Sequence, residues 1–490
     1  MEDLRRHLGR IADLNAAAAV LEWDMETHMP DAGVAARARQ IGTLREFAHE
    51  LHASDETGAF LAAAVPSSAV DQDLLRVAKR DFELAMRMPA ELVGEMARVT
   101  SLARDAWKTA RERDDFPAFA PHLEAVIDCN RRKAEALGYD DDPYDALLDE
   151  FEPGMKTARV SQVFADLRTE LVELVAAIAE KPAHDDALLG RYFPPDRQWD
   201  LGEQVMAEIG YDFSRGRQDK SAHPFSTTFS VTDSRVTTHV HPHHFNPAFF
   251  GSLHEAGHAM YEQGVDEALD GTPLASGTSL GMHESQSRLW ENLVGRSRAF
   301  WDRYFPVVQA YFPGALAQAD PDGFYRAINT VRPSLIRIES DEVTYNLHIM
   351  LRFELERAML SGDVPAADLP EAWNARMQEY LGIVPPSDAA GCLQDIHWSL
   401  GAIGYFPTYS LGNLMSAQLW EAMGRDCGDL DEHIRAGRFS VLLDWLRENV
   451  HRHGRRKTAS EILLDATGSD LDAGPWMAYA KAKFGALYEL

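Results

Sequence analysis

The chain has 490 residues, with 48 Lys and Arg against 77 Asp and Glu, a net charge of −29; 45% of residues are hydrophobic and 26% charged. This composition excludes disordered and fibrous classes and predicts folded protein throughout, as a few average domains or as one large helical domain split by a cleft. So acidic a field repels phosphate backbones and anionic membrane surfaces, which argues against nucleic acid and membrane as partners.

The start, Met1-Glu2-Asp3-Leu4-Arg5-Arg6-His7-Leu8, carries early acids and no apolar core of signal-peptide length. No later run approaches the ~18 apolar residues of a membrane span. Three cysteines (Cys129, Cys392, Cys427), an odd number without a C-x-x-C pair, suit a reducing compartment, so the expected location is cytoplasmic.

From Leu4 to about Lys133 apolar residues recur at helical spacing, as in Leu74-Leu75-Arg76-Val77-Ala78, and predict several amphipathic helices. Breaks fall where Pro, Gly, Asn and Asp cluster, at Met29-Pro30, Gly138 to Pro143 and Glu152-Pro153-Gly154. The one strand region is Pro224 to Val240, where Thr227 to Thr232 and Val236 to Val240 flank a turn at Asp233-Ser234 and predict a small hairpin. The run His239-Val240-His241-Pro242-His243-His244 follows it; interrupted by proline, it reads as a solvated or groove-lining loop rather than a ligand set. Helical patterns then return to Leu490. His451 and His453, among Arg452, Arg455, Arg456 and Lys457, read as an exposed basic turn. With no internal repeat and no linker, a single domain over 1–490 is expected, with an N-terminal helical region at about 1–135 and a core at about 195–420.

His254-Glu255-Ala256-Gly257-His258 places two imidazoles one helical turn apart on one face, able to grip one metal ion, with Glu255 free to act on the metal's water. Asn246-Pro247 supplies a cap and first turn, and Gly264 a stop. A catalytic zinc takes three protein ligands and leaves a position open, so a third donor is needed. The stretch Gly281 to Asn292 offers Glu284 and Glu291; surface salt-bridging is the expectation for Glu291. A carboxylate beside two neutral imidazoles cancels one of the ion's two charges and leaves it acidic enough to lower its water's pKa towards ~7.

Four further signatures sit in the chain. They are Asp233-Ser234-Arg235-Val236-Thr237 (D-x-R-x-T), His283-Glu284-Ser285-Gln286 (H-E-S/G-Q), Ile336-Arg337-Ile338-Glu339-Ser340-Asp341 (I-R-x-x-A-D, with Ser340 where Ala is usual) and Gly391-Cys392-Leu393-Gln394-Asp395-Ile396-His397-Trp398 (G-x-x-Q-D-x-H-W). With the H-E-x-x-H, in this order, the sequence resembles the carboxypeptidase Taq family of metallocarboxypeptidases across most of its length. The Ser340 departure exchanges one small residue for another and leaves Arg337 and Asp341 in place.

The resemblance implies a mostly α-helical fold of two lobes flanking a deep groove, with the H-E-x-x-H helix at its floor and a small antiparallel sheet beside it. It implies sequential release of C-terminal residues from peptides with a free carboxylate, by a homodimer. Zinc is the expected ion, with cobalt an acceptable substitute. Glu284 becomes the third ligand beside His254 and His258, and Glu255 the base and acid. Arg337 is the first choice for holding the substrate carboxylate and Arg235 the second; buried ion pairs with Asp341 and Asp233 are the structural alternatives. His397 and a tyrosine, Tyr409 in preference to Tyr405, are the expected donors to the oxyanion, and Tyr405 otherwise lines the groove. The rivals are an endo-acting zinc oligopeptidase on the same scaffold and a non-enzymatic protein with a structural metal.

Overall fold

The Ala-, Leu- and Glu-rich start of the chain forms the helices Glu2–Thr27 and Val34–His52, which pack against one another, and helix remains the dominant element to the C-terminus. The computed structural model describes residues 1–490 and resolves into two compact units. Met1–Met86, Asp185–Ile328 and Met415–Asp470 form the first; Arg87–His184, Asn329–Leu414 and Leu471–Leu490 form the second. No helix is long and apolar enough to cross a membrane.

In the first unit, Leu4, Leu8 and Ile11 of the opening helix join Leu61, Leu74, Val77, Val231, Val265, Leu269 and Leu274 in one apolar cluster. Removing these side chains from water drives the N-terminal helices onto the sheet and onto the loop that follows the H-E-x-x-H helix. The sheet has three strands in the order β1-β3-β2, with β1 Gln218–Lys220, β2 Ser226–Ser230 and β3 Asp233–Thr238. The hairpin of β2 and β3 is antiparallel as expected, and β1 adds a short parallel partner. The turn sits at Val231-Thr232, two residues earlier than expected, and Val231, 1% exposed, belongs to the apolar cluster. A register shift between Thr228 and Ser230 accommodates the difference.

The second unit is built round the helix Tyr345–Ser361, which is buried on nearly every side. Its apolar residues Leu347, Ile349, Leu351 and Leu355 are fully buried, and so is a polar stripe at four-residue spacing, His348, Arg352 and Glu356. Buried polar groups must find partners. Arg352 and Glu356 find theirs largely on the segment of the G-x-x-Q-D-x-H-W signature.

Candidate metal centre and substrate-binding groups

The helix Phe245–Gln263 carries the H-E-x-x-H. Its N-cap is His244, with no side-chain cap bond; Asn246 lies inside the first turn with its Oδ1 buried and unpartnered, so capping does not set the start. Aromatic packing does: Phe245 stacks on Phe249 at 5.2 Å and meets Phe193 at 5.3 Å, and Phe249 meets Trp301 at 5.4 Å. Gly264 ends the helix as expected, for a different reason from a left-handed backbone. Its φ is −90°, and a Cβ there would come within 2.5 Å of His451 Nδ1. His451, expected on an exposed turn, is in fact fully buried, with Nε2 at 2.9 Å from Gln286 Oε1.

One turn apart, the rings of His254 and His258 have centroids 4.9 Å apart. Glu284 approaches them from the helix Leu280–Arg288, whose start is capped by Ser279. Glu284 Oε2 lies 3.6 Å from His254 Nε2 and 3.4 Å from His258 Nε2. A tetrahedral ion with bonds of about 2.0–2.1 Å separates its donor atoms by about 3.3 Å, so this N₂O set fits a zinc-sized cation. Gly257 permits the approach: a Cβ there would lie 2.6 Å from Ser287 Cα and 2.7 Å from Gln286 O.

Glu291 is neither on the surface nor a third donor, which corrects the expectation of a surface salt bridge. Its Oε2 lies 2.9 Å from His254 Nδ1, and its carboxylate also meets Arg288 and Arg296. Leu289–Val294 forms a π-helical turn after Leu280–Arg288. Across that junction Glu284, Arg288 and Glu291 share one face, with Arg288 Nε 2.6 Å from Glu284 Oε1 and Nη1 3.3 Å from Glu291 Oε2. Both carboxylates are thereby held well below the usual range: burial opposes this, and Arg288 followed by the histidines outweighs it. His258 Nδ1 meets His283 Nδ1 at 2.7 Å, and His283 Nε2 meets Glu262 Oε1 at 2.7 Å. Burial pushes the Glu255 carboxyl up to about 7 against the pull of His254.

The remaining expected residue of the first unit, Arg235, pairs bidentately with Asp233, Nε to Oδ1 and Nη2 to Oδ2 both at 2.8 Å. Its guanidinium lies 4.4 Å over Trp23 and 4.9 Å over Phe229. Arg235 thus forms an ion pair with Asp233 in which the two side chains are 20% and 36% exposed.

Arg337, His397, Tyr405 and Tyr409 gather in the second unit. Arg337 is 5% exposed; its Nε and Nη2 both donate to Asp395 Oδ1, at 3.1 and 2.8 Å, and Nη1 donates to the Tyr345 hydroxyl at 3.0 Å. Its ion-pair partner is thus Asp395 and not Asp341. Asp341 instead accepts from the amides of Arg332, Val343 and Thr344 and from the Thr344 hydroxyl, at 2.8–3.0 Å, just before the helix Tyr345–Ser361. Arg352 takes the other Asp395 oxygen and Gln394 Oε1. Burial lowers the His397 pKa to about 4, with Arg337 and Arg352 adding to it against Asp395, so the ring is neutral at pH 7. His397 Nε2 is 3.4 Å from the Tyr409 hydroxyl, and the Tyr405 ring lies 5.3 Å from the His397 ring.

Glu356 fastens the same segment further along. Its carboxylate accepts from Trp398 Nε1 (2.8 Å), the Gly404 amide (3.1 Å) and the Tyr144 hydroxyl (2.6 Å), while burial raises its pKa from 4.5 to about 7 against those bonds. The folded state therefore binds this proton more tightly than the unfolded chain, and the associated stability is complete below pH 4.5 and lost as pH rises through about 7. At about 1.4 kcal/mol per pH unit the loss is about 3 kcal/mol. In denaturant unfolding, the stability advantage of wild type over Glu356→Gln shrinks by that amount between pH 5 and pH 8. A difference independent of pH would contradict the assignment.

Two imidazoles on the H-E-x-x-H helix and a carboxylate from the following helix thus converge as a group that could hold one metal ion. The sequence matches the carboxypeptidase Taq (M32) metallopeptidase family over residues 3–484. It is 40% identical to carboxypeptidase 1 of Bacillus subtilis, covering 99% of this chain and 97% of that one. Among solved structures, the M32 carboxypeptidase of Deinococcus radiodurans superposes with a TM-score of 0.98 at 44% identity, covering 100% of this chain and 99% of that one. The carboxypeptidase of Pyrococcus furiosus gives 0.96 at 39%, covering 99% and 98%. The chain belongs to the carboxypeptidase Taq (M32) metallopeptidase family, and is a metal-dependent carboxypeptidase.

Proposed function

We propose that the chain is a zinc enzyme that removes residues one at a time from the carboxyl end of peptides with broad specificity, with His254, His258 and Glu284 holding the ion. The observation that carries this reading is the approach of Glu284 Oε2 to within 3.4 and 3.6 Å of the two Nε2 atoms, the spacing an N₂O zinc site needs. Cobalt suits the same donors. When bound, the ion supplies a Lewis acid for the scissile carbonyl and lowers the pKa of its water to ~7.

Glu255 accepts the proton of the attacking water on its carboxylate and returns it to the leaving amine, serving as base and then acid. His397 and Tyr409 donate to the developing oxyanion, which a neutral ring and a phenol can do without carrying charge into a buried site. Arg337 holds the substrate carboxylate. Its Nε–Nη2 edge is committed to Asp395, so the Nη1–Nη2 edge beside the Tyr345 hydroxyl is the one presented to substrate. Tyr405 packs against His397 and lines the same surface. Arg235, closed onto Asp233 and Trp23, takes the second place in this role. The three cysteines are free, in keeping with a cytoplasmic location, and a homodimer is the assembly proposed.

Arginine 337 separates exo- from endo-action. Arg337→Ala lowers kcat/KM by about 2–5 kcal/mol in transition-state terms for a peptide with a free C-terminus, the range for removing one partner of a buried charge pair. The C-terminally amidated peptide, already a poor substrate, is nearly unaffected. Equal losses for both peptides would point to an endo-acting enzyme.

A further inference from the structure

We propose that His283 and Glu262 are positioning residues for the metal: together they impose on His258 the tautomer that leaves its Nε2 lone pair free to ligate. This rests on the reading of His258 as a ligand. A neutral imidazole has one N–H and one acceptor nitrogen, and a metal at Nε2 requires the hydrogen on Nδ1. That hydrogen must then find an acceptor, since the ring is largely buried.

The acceptor is a second histidine. His258 Nδ1 lies 2.7 Å from His283 Nδ1, which accepts only if the hydrogen of His283 is on its Nε2. His283 Nε2 in turn lies 2.7 Å from Glu262 Oε1, and a carboxylate has nothing to donate. With His283 a neutral imidazole, the anion therefore fixes the direction of both hydrogen bonds: Nε2–H of His283 to Glu262, and Nδ1–H of His258 to His283. Glu262 is itself held in place, being 6% exposed and accepting the Gly277 amide at 2.9 Å on the same oxygen. His283 is confined as well, with the Tyr261 ring at 5.1 Å and Gly277 so close that a Cβ there would lie 2.6 Å from His283 Cδ2.

His254, His258 and Glu262 follow one another at four-residue intervals on one helix face, so the helix that supplies two ligands also supplies the anion that orients one of them. The two ligands are thus oriented differently. His254 donates directly to a carboxylate, Glu291, whereas His258 reaches one only through an intervening imidazole. Outer partners of this kind set ring orientation and ligand basicity.

The test is the zinc dissociation constant of the purified full-length protein, read by competition with a chromogenic chelator. The variants are His283→Phe, Glu262→Met, Glu262→Gln and the His283→Phe/Glu262→Met pair, with His258→Ala as control. His283→Phe keeps a ring against Tyr261 and His258 but removes the acceptor, and is expected to weaken zinc binding about 10–100-fold. Glu262→Met weakens it by a smaller factor; Glu262→Gln, which retains an acceptor oxygen, restores near wild-type affinity. The double variant binds no more weakly than His283→Phe, because both residues act through one chain of hydrogen bonds. Wild-type affinity in His283→Phe, or multiplication of the two effects in the double variant, would overturn the proposal. Should His283→Phe fail to fold, equal affinities of Glu262→Met and Glu262→Gln would overturn it. Unchanged affinity in His258→Ala would instead remove the ligand assignment on which it stands.

Discussion

Replacing Glu255 with glutamine lowers kcat by about 10²–10⁴-fold while one zinc per chain stays bound. Glu255 lies between the two histidines in sequence and is 7% exposed, and the converging donor set consists of His254, His258 and Glu284 without it. Its burial raises the carboxyl to about 7. A glutamine of nearly the same volume preserves packing and the metal and removes only the group that takes and returns a proton. Steady-state kinetics with metal analysis of the same sample reads both quantities. Full activity in Glu255→Gln would mean that the metal is structural and the chemistry lies elsewhere.

Glu284→Gln acts on the other half of the machinery and abolishes tight metal binding. The loss exceeds about a hundredfold in affinity, the upper range for outer partners, because this oxygen is a ligand itself. The substitution also takes the charge from the 2.6 Å partner of Arg288, a guanidinium of 15% exposure, and so weakens that buried ion pair. Isothermal titration of the metal-free protein with zinc measures the affinity, and urea unfolding without metal separates any general loss of stability. Unaltered zinc affinity would refute the proposed ligand set.

The convergence of His254, His258 and Glu284 was legible in part from local spacing and in part only from the family resemblance, which chose Glu284 where spacing left Glu291 open as well. Helical spacing puts His254 and His258 on one face, and a nearby signature supplies Glu284. What escaped the sequence depended on distant partners. Glu291 reads as one more surface acid until the π-helical turn after Arg288 is seen, although Glu284, Arg288 and Glu291 at offsets of four and three carry a hint of the shared face. Glu262 continues the four-residue rhythm of the histidines, a signal that is visible but has no meaning until His283 is found between them.

Tertiary burial overrode local reading elsewhere. His451 sits among basic residues in sequence, yet Gly264 and Gln286 enclose it. The hairpin turn falls at Val231-Thr232, with Val231 buried in the apolar cluster. Strand β1 has three residues, two of them charged, and no alternation long enough to declare it. Arg337 chose Asp395, 58 residues away, over Asp341, whose oxygens serve the backbone amides that begin the next helix.

Mass spectrometry of one peptide, incubated with the zinc-loaded protein with and without chelator, tests the account most directly. A ladder of products that differ by single residues from the carboxyl end, absent with chelator and restored by zinc, is the predicted result. Internal cleavage, trimming from the amino end, or a ladder that survives complete metal removal would contradict it.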